Sequence, residues 1–234
     1  MKIINLFCNN KKFQYDGFTL KKGKKLFEKH GEGLESKVFK INNKTVLKVY
    51  KDCYDKAKLD KKMINELSKI DTNRIVLPNS IITDESGKTK GYSMNYIEES
   101  EDKIIEFPKK TLIDELNLLK EDLIELGENN VEIGDLREEN TISNESSFYL
   151  IDCGDYLKRD NKTTKINIQF FNEYIIDDII SDIVFEESKD LSKGLQKLRD
   201  LRTLLLSGKY IGDYLKEEMN EEETINEFVK RIVK

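Results

Sequence analysis

The hydrophobic pattern of this chain changes its period near residues 97–108, and that change constrains the fold more than any other feature. Upstream, short apolar runs are separated by turn residues, as in antiparallel strands. The segment 26–50 contains a turn at Asn42-Asn43, and the segment 74–99 supplies two or three further strands. Downstream of Pro108, apolar residues recur at helical spacing. The first such run is Leu112, Leu116, Leu119, Leu123 and Ile124.

The order of these segments predicts an α+β protein in two parts. Residues 1–97 are predicted to form an antiparallel sheet with one helix, because the charged segment 55–69 places its apolar residues on one helical face. Residues 98–234 are predicted to be mostly helical. Prolines are confined to Pro78 and Pro108, which lie between the periodic segments.

Composition excludes several classes of protein. With 38% hydrophobic and 36% charged residues over 234 positions, the chain is too apolar for an intrinsically disordered protein. It lacks an apolar run of the roughly 20 residues that cross a bilayer, and its N-terminal apolar stretch is too short for a secretory signal. Cys8, Cys53 and Cys153 lack the spacing of a zinc site or disulfide framework. We therefore expect a cytoplasmic protein without a membrane span, although export without a signal would leave no mark in the sequence.

The net charge of −5 conceals an asymmetry. Residues 1–62 carry 17 lysines and 7 acidic residues, whereas the remainder carries 23 basic and 38 acidic ones. A basic part attracts polyanions such as nucleic acid or a nucleotide, and it also makes an ordinary solvated surface. We favour the solvated surface and do not expect a nucleic-acid partner.

Three polar residues carry the strongest functional signal. Asp135 is followed five residues later by Asn140, and Asp152 comes twelve residues after that, between an apolar run and Gly154. Phosphoryl transfer needs one carboxylate near the attacking hydroxyl, and an amide with a second carboxylate to hold magnesium. This spacing therefore indicates a phosphotransferase.

An upstream segment has the residues that a nucleotide requires. Gly31 and Gly33 are flanked by predicted strands and let backbone amides approach phosphates. Val38, on the strand that follows, is placed to cover an adenine. Val46 and Lys48 alternate along the next strand, so both are expected on one face, with Val46 against the base and the Lys48 ammonium on the phosphates.

Two further segments complete the predicted nucleotide site. Glu66 lies on the predicted helix, eighteen residues after Lys48, where its carboxylate would pair with the lysine. The strand 90–96 ends where backbone groups of Asn95, Tyr96 and Ile97 would hydrogen-bond an adenine edge. Met94 would close the back of that pocket.

Taken together, residues 28–155 resemble the protein-kinase-like superfamily. The matching strings follow the family order and its spacing: GEGLESKV, VLK, Glu66 on the helix, MNYI, GDLREEN and IDCG. The resemblance is to an atypical, compact serine/threonine kinase of bacterial or viral type. It implies a bilobal protein-kinase-like fold, with ATP and Mg²⁺ (or Mn²⁺ in its place) as cofactors.

The resemblance also implies a role for each matching residue. Asp135 would be the catalytic base or the residue that orients the hydroxyl, and Asn140 and Asp152 would be the magnesium ligands. Lys48 would contact the α- and β-phosphates. Ile142 and Ile151 would form the floor and back of the adenine pocket.

The chain departs from protein kinases at several positions. Ser36 stands where a third glycine is usual, and Gly134 stands where regulated kinases carry the arginine that reads a phosphorylated activation loop. Cys153 replaces the usual phenylalanine, and the string IDCGD is similar to aminoglycoside and choline kinases. Arg137, two residues after Asp135, would neutralise charge on the transferred phosphoryl group or form a salt bridge with a neighbouring glutamate.

From these features we expect a serine/threonine kinase that transfers the γ-phosphate of ATP to a hydroxyl of a protein substrate. The alternatives are a small-molecule kinase of the aminoglycoside or choline type, and a pseudokinase that only binds its partners. Only about 80 residues follow Gly154, which is short for the helical insertion that encloses small substrates, and this favours the protein substrate. The oligomeric state is left open by the sequence.

Overall fold

The computed structural model describes residues 3–52, 59–100, 103–188, 191–206 and 208–233. The chain divides into two compact units. Unit 1 comprises Met1–Asp71, Val76–Glu98 and Asp152–Tyr156, and unit 2 comprises Thr72–Ile75, Glu99–Ile151 and Leu157–Lys234. The predicted division between residues 97 and 98 stays a prediction.

Unit 1 is built on one large antiparallel sheet. Within the described residues it has nine strands, in the order β4-β3-β2-β1-β8-β9-β7-β6-β5. The strands are β1 (Ile4–Cys8), β2 (Lys11–Tyr15), β3 (Leu20–Lys22), β4 (Lys25–Phe27), β5 (Lys29–Glu32), β6 (Ser36–Asn42), β7 (Thr45–Tyr50), β8 (Pro78–Asp84) and β9 (Thr89–Asn95). The sheet is nearly closed, because β4 at one edge contacts β6 near the other.

The predicted fold class, a bilobal protein-kinase-like fold, is wrong. That fold has five strands and a helix in its N-terminal sheet, whereas nine strands occupy this sheet over the described residues. The additional strands, β1 to β4, come from residues 4–27, a segment for which the sequence analysis assigned no strand before residue 26. The helix α1 (Lys61–Leu67) is present, and residues 55–58 of the predicted helical segment lie outside the described part of the chain.

The four additional strands bury an apolar core that the alternating pattern supports. In β2 every second residue is buried, so that Phe13 and Tyr15 point into the core. These two side chains pack in one cluster with Leu6, Leu20, Phe27, Phe39, Leu47, Val49 and Ile82. The turn between β1 and β2 is Asn9-Asn10, where both residues have positive φ angles of 47° and 61°. Two such residues fit the two-residue turn that joins twisted antiparallel strands.

Unit 2 is mainly helical. Its helices are α2 (Lys109–Glu128), α3 (Thr164–Tyr174), α4 (Ser181–Glu187), α5 (Leu191–Leu206), α6 (Ile211–Glu218) and α7 (Ile225–Val233). A π-helical segment, Ile175–Ile180, joins α3 to α4. Two small antiparallel pairs complete the unit: β10 (Val131–Glu132) with β13 (Leu157–Lys158), and β11 (Thr141–Asn144) with β12 (Ser147–Leu150). None of the helices in the described residues is long and apolar enough to span a membrane.

Helix α2 organises the core of unit 2. The predicted stripe is confirmed at Leu112, Leu116, Leu119 and Leu123, which are fully buried. Asp122 on the same helix is also buried, and its carboxylate accepts hydrogen bonds from the main-chain nitrogens of Asn73, Arg74 and Ile75 at 2.8, 2.6 and 3.0 Å. This carboxylate therefore fixes the short segment 72–75 against α2.

Candidate functional site

Strands β6, β7 and β9 present four of the predicted nucleotide residues on one face of the sheet. The strand register pairs Val38 with Lys48 and Val46 with Met94. Directly opposite residues in antiparallel strands share a face, and Val46 and Lys48 are two positions apart. We call this group, Val38, Val46, Lys48 and Met94, the lysine face. The sequence expectation that Val46 and Lys48 share a face is confirmed.

The ammonium of Lys48 forms an ion pair with the carboxylate of Asp152, 104 residues later in the chain. The lysine side chain is only 8% exposed, whereas that of Asp152 is 38% exposed. Asp152 has a left-handed backbone (φ 60°), and its carboxylate also accepts a hydrogen bond from the Gly154 nitrogen at 3.1 Å. A non-glycine residue in this conformation is sterically unfavourable and is often found at functional sites.

A glycine that the sequence analysis did not single out lets β9 approach Lys48. Gly91 has a φ of 147°, and a Cβ atom there would lie 1.9 Å from the Lys48 carbonyl oxygen. The adjacent Tyr92 is fully buried opposite Lys48, and its hydroxyl lies 3.8 Å from the Cys153 sulfur. Burial raises the pKa of the Cys153 thiol to about 12, so this cysteine is a protonated, inert neighbour of the ion pair. A lone glycine within a strand pattern signals such a close approach.

The predicted phosphate loop is a tight turn between β5 and β6. The Gly33 nitrogen donates to the Ser36 carbonyl at 3.1 Å, and Ser36 is buried at the start of β6. A Cβ atom would meet nothing within 4 Å at Gly33, and would meet only Val38, at 3.9 Å, at Gly31. The fold itself therefore does not require glycine at either position.

Glu32, between these glycines, binds the lysines around the turn. Its carboxylate lies 2.8 Å from Lys29, 2.7 Å from Lys51 and 3.9 Å from Lys37. These contacts, led by the hydrogen bonds from Lys29 and Lys51, lower the pKa of Glu32 to about 2. Three lysines therefore surround the turn, and the Glu32 carboxylate neutralises part of their charge.

Two other parts of the predicted nucleotide site have local partners. Glu66 lies on α1, with its Oε1 4.0 Å from the Lys62 ammonium, and its pairing with Lys48 stays a prediction. The Tyr96 nitrogen donates to the Lys44 carbonyl at 3.1 Å. An adenine that used the Tyr96 nitrogen would have to replace that hydrogen bond.

Other side chains of unit 1 surround the segment Asn95–Ile97. The Tyr96 ring contacts the Lys40 ammonium, 3.7 Å from its centre, and the His30 ring, at a centroid distance of 5.2 Å. Asn95 is exposed and its Oδ1 accepts from Asn79 at 2.8 Å, while Ile97 is half-buried.

Unit 2 contains the second group of predicted residues, on the loop of residues 134–140 that we call the aspartate loop. The Asn140 side-chain nitrogen donates to the Asp135 carbonyl oxygen at 2.7 Å and to its carboxylate Oδ2 at 3.1 Å. Arg137 Nε lies 2.5 Å from the other carboxylate oxygen. The salt bridge of Arg137 is therefore with Asp135. Asp135, like Asp152, has a left-handed backbone, with a φ of 50°.

Buried side chains of α3 hold the strand that leads into the aspartate loop. Asn167 is fully buried; its Oδ1 accepts from the Ile133 nitrogen at 3.0 Å, and its nitrogen donates to the Val131 carbonyl at 2.9 Å. Thr163 is buried and donates to the same Val131 carbonyl at 2.6 Å. These residues fix the backbone two positions before Asp135. Asn167 was not predicted as part of the site, because its spacing from Asp135 belongs to no motif.

The β11–β12 hairpin begins directly after Asn140 and brings the chain back to that residue at Ile151. Leu150 lies opposite Thr141, and the Ile151 nitrogen donates to the Asn140 carbonyl at 2.8 Å. Asp152 is the next residue in the sequence. Ile142 and Ile151 are both half-buried in this part of unit 2.

Two cavities of unit 2 adjoin the aspartate loop. The smaller, of about 330 Å³, is lined by Gly134, Asp135 and Leu136 of the loop, together with residues of α3 and the π-helical segment. The larger, of about 830 Å³, extends to the 3₁₀ turn Ile104–Glu106 and to α4. Tyr174 and Asp178 line both cavities. Burial, and then the nearby Asp177 and Asp182, raise the pKa of Asp178.

Asn140 and Asp152, one in each unit, each offer an oxygen atom of the type that a hard divalent cation prefers. Because the Asn140 nitrogen is bound to Asp135, its amide oxygen is left as the ligand atom, and Asp152 offers a partly exposed carboxylate. Magnesium is usually held by one or two carboxylates together with substrate phosphates. Over the residues that the structure describes there is no group of three or more His, Cys, Asp or Glu that forms a metal site by itself. Each of the two residues by itself therefore offers one oxygen donor of the kind that magnesium takes together with phosphates.

Comparisons with known proteins add no relative: no protein-family model matches this chain, and no curated protein matches it either.

Proposed function

We propose that this protein is an ATP- and Mg²⁺-dependent phosphotransferase that transfers the γ-phosphoryl group of ATP to a serine or threonine hydroxyl of a protein. The observation that carries the proposal is the Lys48–Asp152 ion pair on the lysine face. A buried ammonium beside a partly exposed carboxylate is the arrangement that nucleotide phosphates and their metal ion require. Val38, Val46 and Met94 on the same face offer an apolar surface for the base.

The aspartate loop supports the second half of the proposal. Asp135 would accept the proton of the attacking hydroxyl while the new oxygen–phosphorus bond forms. The bond between the γ-phosphorus and the bridging oxygen breaks, and ADP leaves with the electron pair. Asn140 holds the Asp135 carboxylate through its nitrogen, and Arg137, which pairs with Asp135, would supply a positive charge to the transferred group.

Asn140 and Asp152 would hold the magnesium ion. When bound, this ion neutralises charge on the β- and γ-phosphates. Lys48 would neutralise charge on the α- and β-phosphates, and the backbone of the turn at Gly31 and Gly33 would approach them.

The test separates nucleotide binding from transfer. Binding of a fluorescent ATP analogue is measured with and without Mg²⁺, and transfer is measured with γ-labelled ATP on a peptide array and on the protein itself. We expect Asp135→Asn to lower transfer by about 10²- to 10⁴-fold while ATP binding stays within about twofold. Asparagine tolerates the left-handed backbone of this position, so the variant should fold.

Lys48→Met is expected to lower both binding and transfer. Asp160→Asn is the matched control, because Asp160 is an exposed aspartate of unit 2 that does not line either cavity. Wild-type protein without magnesium-dependent ATP binding would contradict the proposal. Binding without any transfer would show a pseudokinase instead.

A further inference from the structure

The two cavities of unit 2 indicate the chemical class of the acceptor. We propose that they bind a basic peptide segment, with its lysine or arginine side chains in the larger cavity and its serine or threonine in the smaller one beside Asp135. This inference rests on the proposed phosphotransfer for its role, but the binding site itself can be tested without ATP.

The cavities are adjacent, and the larger one is of suitable size. The smaller contains Asp135, and Tyr174 and Asp178 belong to the walls of both. The larger, about 830 Å³, lies within the range of 300 to 1,000 Å³ that is typical of ligand sites. A peptide that occupied both cavities would pass Tyr174 and Asp178 and place one residue beside Asp135.

The charge of the larger cavity selects a cation. Lys103 is the basic residue of its lining, and the acidic ones are Glu99, Glu138, Asp178, Asp182 and Glu186. Burial, and after it the neighbouring carboxylates of Asp177 and Asp182, raise the pKa of Asp178. A multiply charged cation would relieve this repulsion, whereas an acidic or phosphorylated peptide would increase it.

The apolar part of the lining favours peptide side chains over a small polar cation. Among the acidic groups lie Ile104, Ile105, Phe148, Ile179 and Ile183. Lysine and arginine have long aliphatic stems that pack on such surfaces while their charged ends contact carboxylates. An amino sugar carries hydroxyl groups in place of these stems and would leave the exposed parts of Ile105 and Ile179 uncovered.

The wall formed by the π-helical segment and α4 is long enough for several peptide residues. Asp178 and Glu186 are eight positions apart, which corresponds to roughly 12 Å along a helix and to three or four residues of an extended peptide. The π-helical segment that carries Asp178 and Ile179 is itself a rare conformation, frequently found at functional sites.

The experiment uses the full chain without nucleotide. A fluorescein-labelled peptide with four arginines around one serine is titrated, and fluorescence anisotropy gives its Kd. We expect Asp182→Asn/Glu186→Gln to raise the Kd about tenfold or more, and the wild-type affinity to fall steeply with added salt. Both residues are exposed on α4, so the variant should fold.

Glu121→Gln/Asp160→Asn is the control, because it removes two exposed carboxylates that line neither cavity. It should leave the Kd within about twofold. Failure of the peptide to bind, or equal effects of the two double variants, would overturn the proposal. Displacement of the peptide by the amino sugar neomycin at a concentration below the Kd of the peptide would overturn it as well.

The outcomes separate this inference from the proposed function. Peptide binding that depends on Asp182 and Glu186, without phosphoryl transfer, would support the cation site and contradict the phosphotransferase. Transfer to neutral peptides, with the basic peptide unbound, would support the phosphotransferase and overturn the cation site.

Discussion

The Lys48–Asp152 ion pair should respond asymmetrically to the loss of either charge. The Lys48 side chain is 8% exposed and that of Asp152 is 38% exposed. Asp152→Asn therefore leaves a buried ammonium without its counter-charge, while Lys48→Met leaves a carboxylate that water can still reach. Both substitutions break the same contact. If burial had no effect, they would therefore lower the free energy of unfolding equally.

The expected magnitudes follow from these exposures. Removing one partner of a fully buried pair costs about 3–5 kcal/mol, and partial exposure of Asp152 reduces this to about 2–3 kcal/mol for Asp152→Asn. Lys48→Met should cost about 0–1 kcal/mol, since water reaches the carboxylate that remains and methionine fills the space of the lysine stem. Asparagine is a suitable replacement at position 152, because it tolerates the left-handed backbone. Its side-chain oxygen can still accept the hydrogen bond from the Gly154 nitrogen.

Urea unfolding followed by circular dichroism measures the difference, which should appear as a midpoint about 1 M lower for Asp152→Asn than for Lys48→Met. Asp160→Asn serves as the control, and the double variant Lys48→Met/Asp152→Asn should recover most of the loss. A Lys48→Met variant that is as unstable as Asp152→Asn would refute the reasoning.

Three further predictions concern the turn, the sheet and the strand before Asp135. Gly91→Ala should lower the free energy of unfolding by about 3 kcal/mol or more, because the added Cβ clashes with the Lys48 carbonyl oxygen. Gly33→Ala should change the free energy of unfolding by less than about 0.5 kcal/mol. It should also weaken ATP binding, which calorimetry measures. Asn167→Leu should cost about 2–3 kcal/mol in urea unfolding, because it leaves the buried Ile133 nitrogen without its acceptor. The pKa of Glu32 is lower in the folded state, so its stabilising effect is present above the unfolded pKa and is lost as the pH falls towards 2. The melting temperatures of wild type and Glu32→Gln should therefore differ at pH 6 and converge between about pH 4 and pH 2.

Part of this molecule could be predicted from local pattern. The alternation of Val46 and Lys48 and the leucine stripe of α2 depend only on the periods of strand and helix, and both are confirmed. The strands of residues 4–27 were not predicted, because their few apolar residues are separated by many lysines and give no clear alternating pattern. What identifies them is the pairing with distant residues, for example of Phe7 with Thr83.

Other features depend on contacts that no local pattern encodes. The stripe that begins at Tyr174 and Ile175 predicts a regular helix, but the structure has a π-helical segment over Ile175–Ile180. Thr163 is buried and bonded to Val131, although its sequence neighbours are those of a solvated loop. The Lys48–Asp152 ion pair joins residues 104 positions apart and was not predicted, because the sequence pattern favoured Glu66 as the partner of Lys48.

The left-handed backbone of Asp135 limits which residues evolution can place there. Asparagine, aspartate and glycine adopt this conformation readily, whereas β-branched residues do not. Every aspartate codon becomes an asparagine codon by a single base transition. If Asp135 is the base that we propose, an inactive but normally folded form of the protein is one mutational step away. A natural homologue with asparagine at this position would then keep its stability while losing phosphoryl transfer.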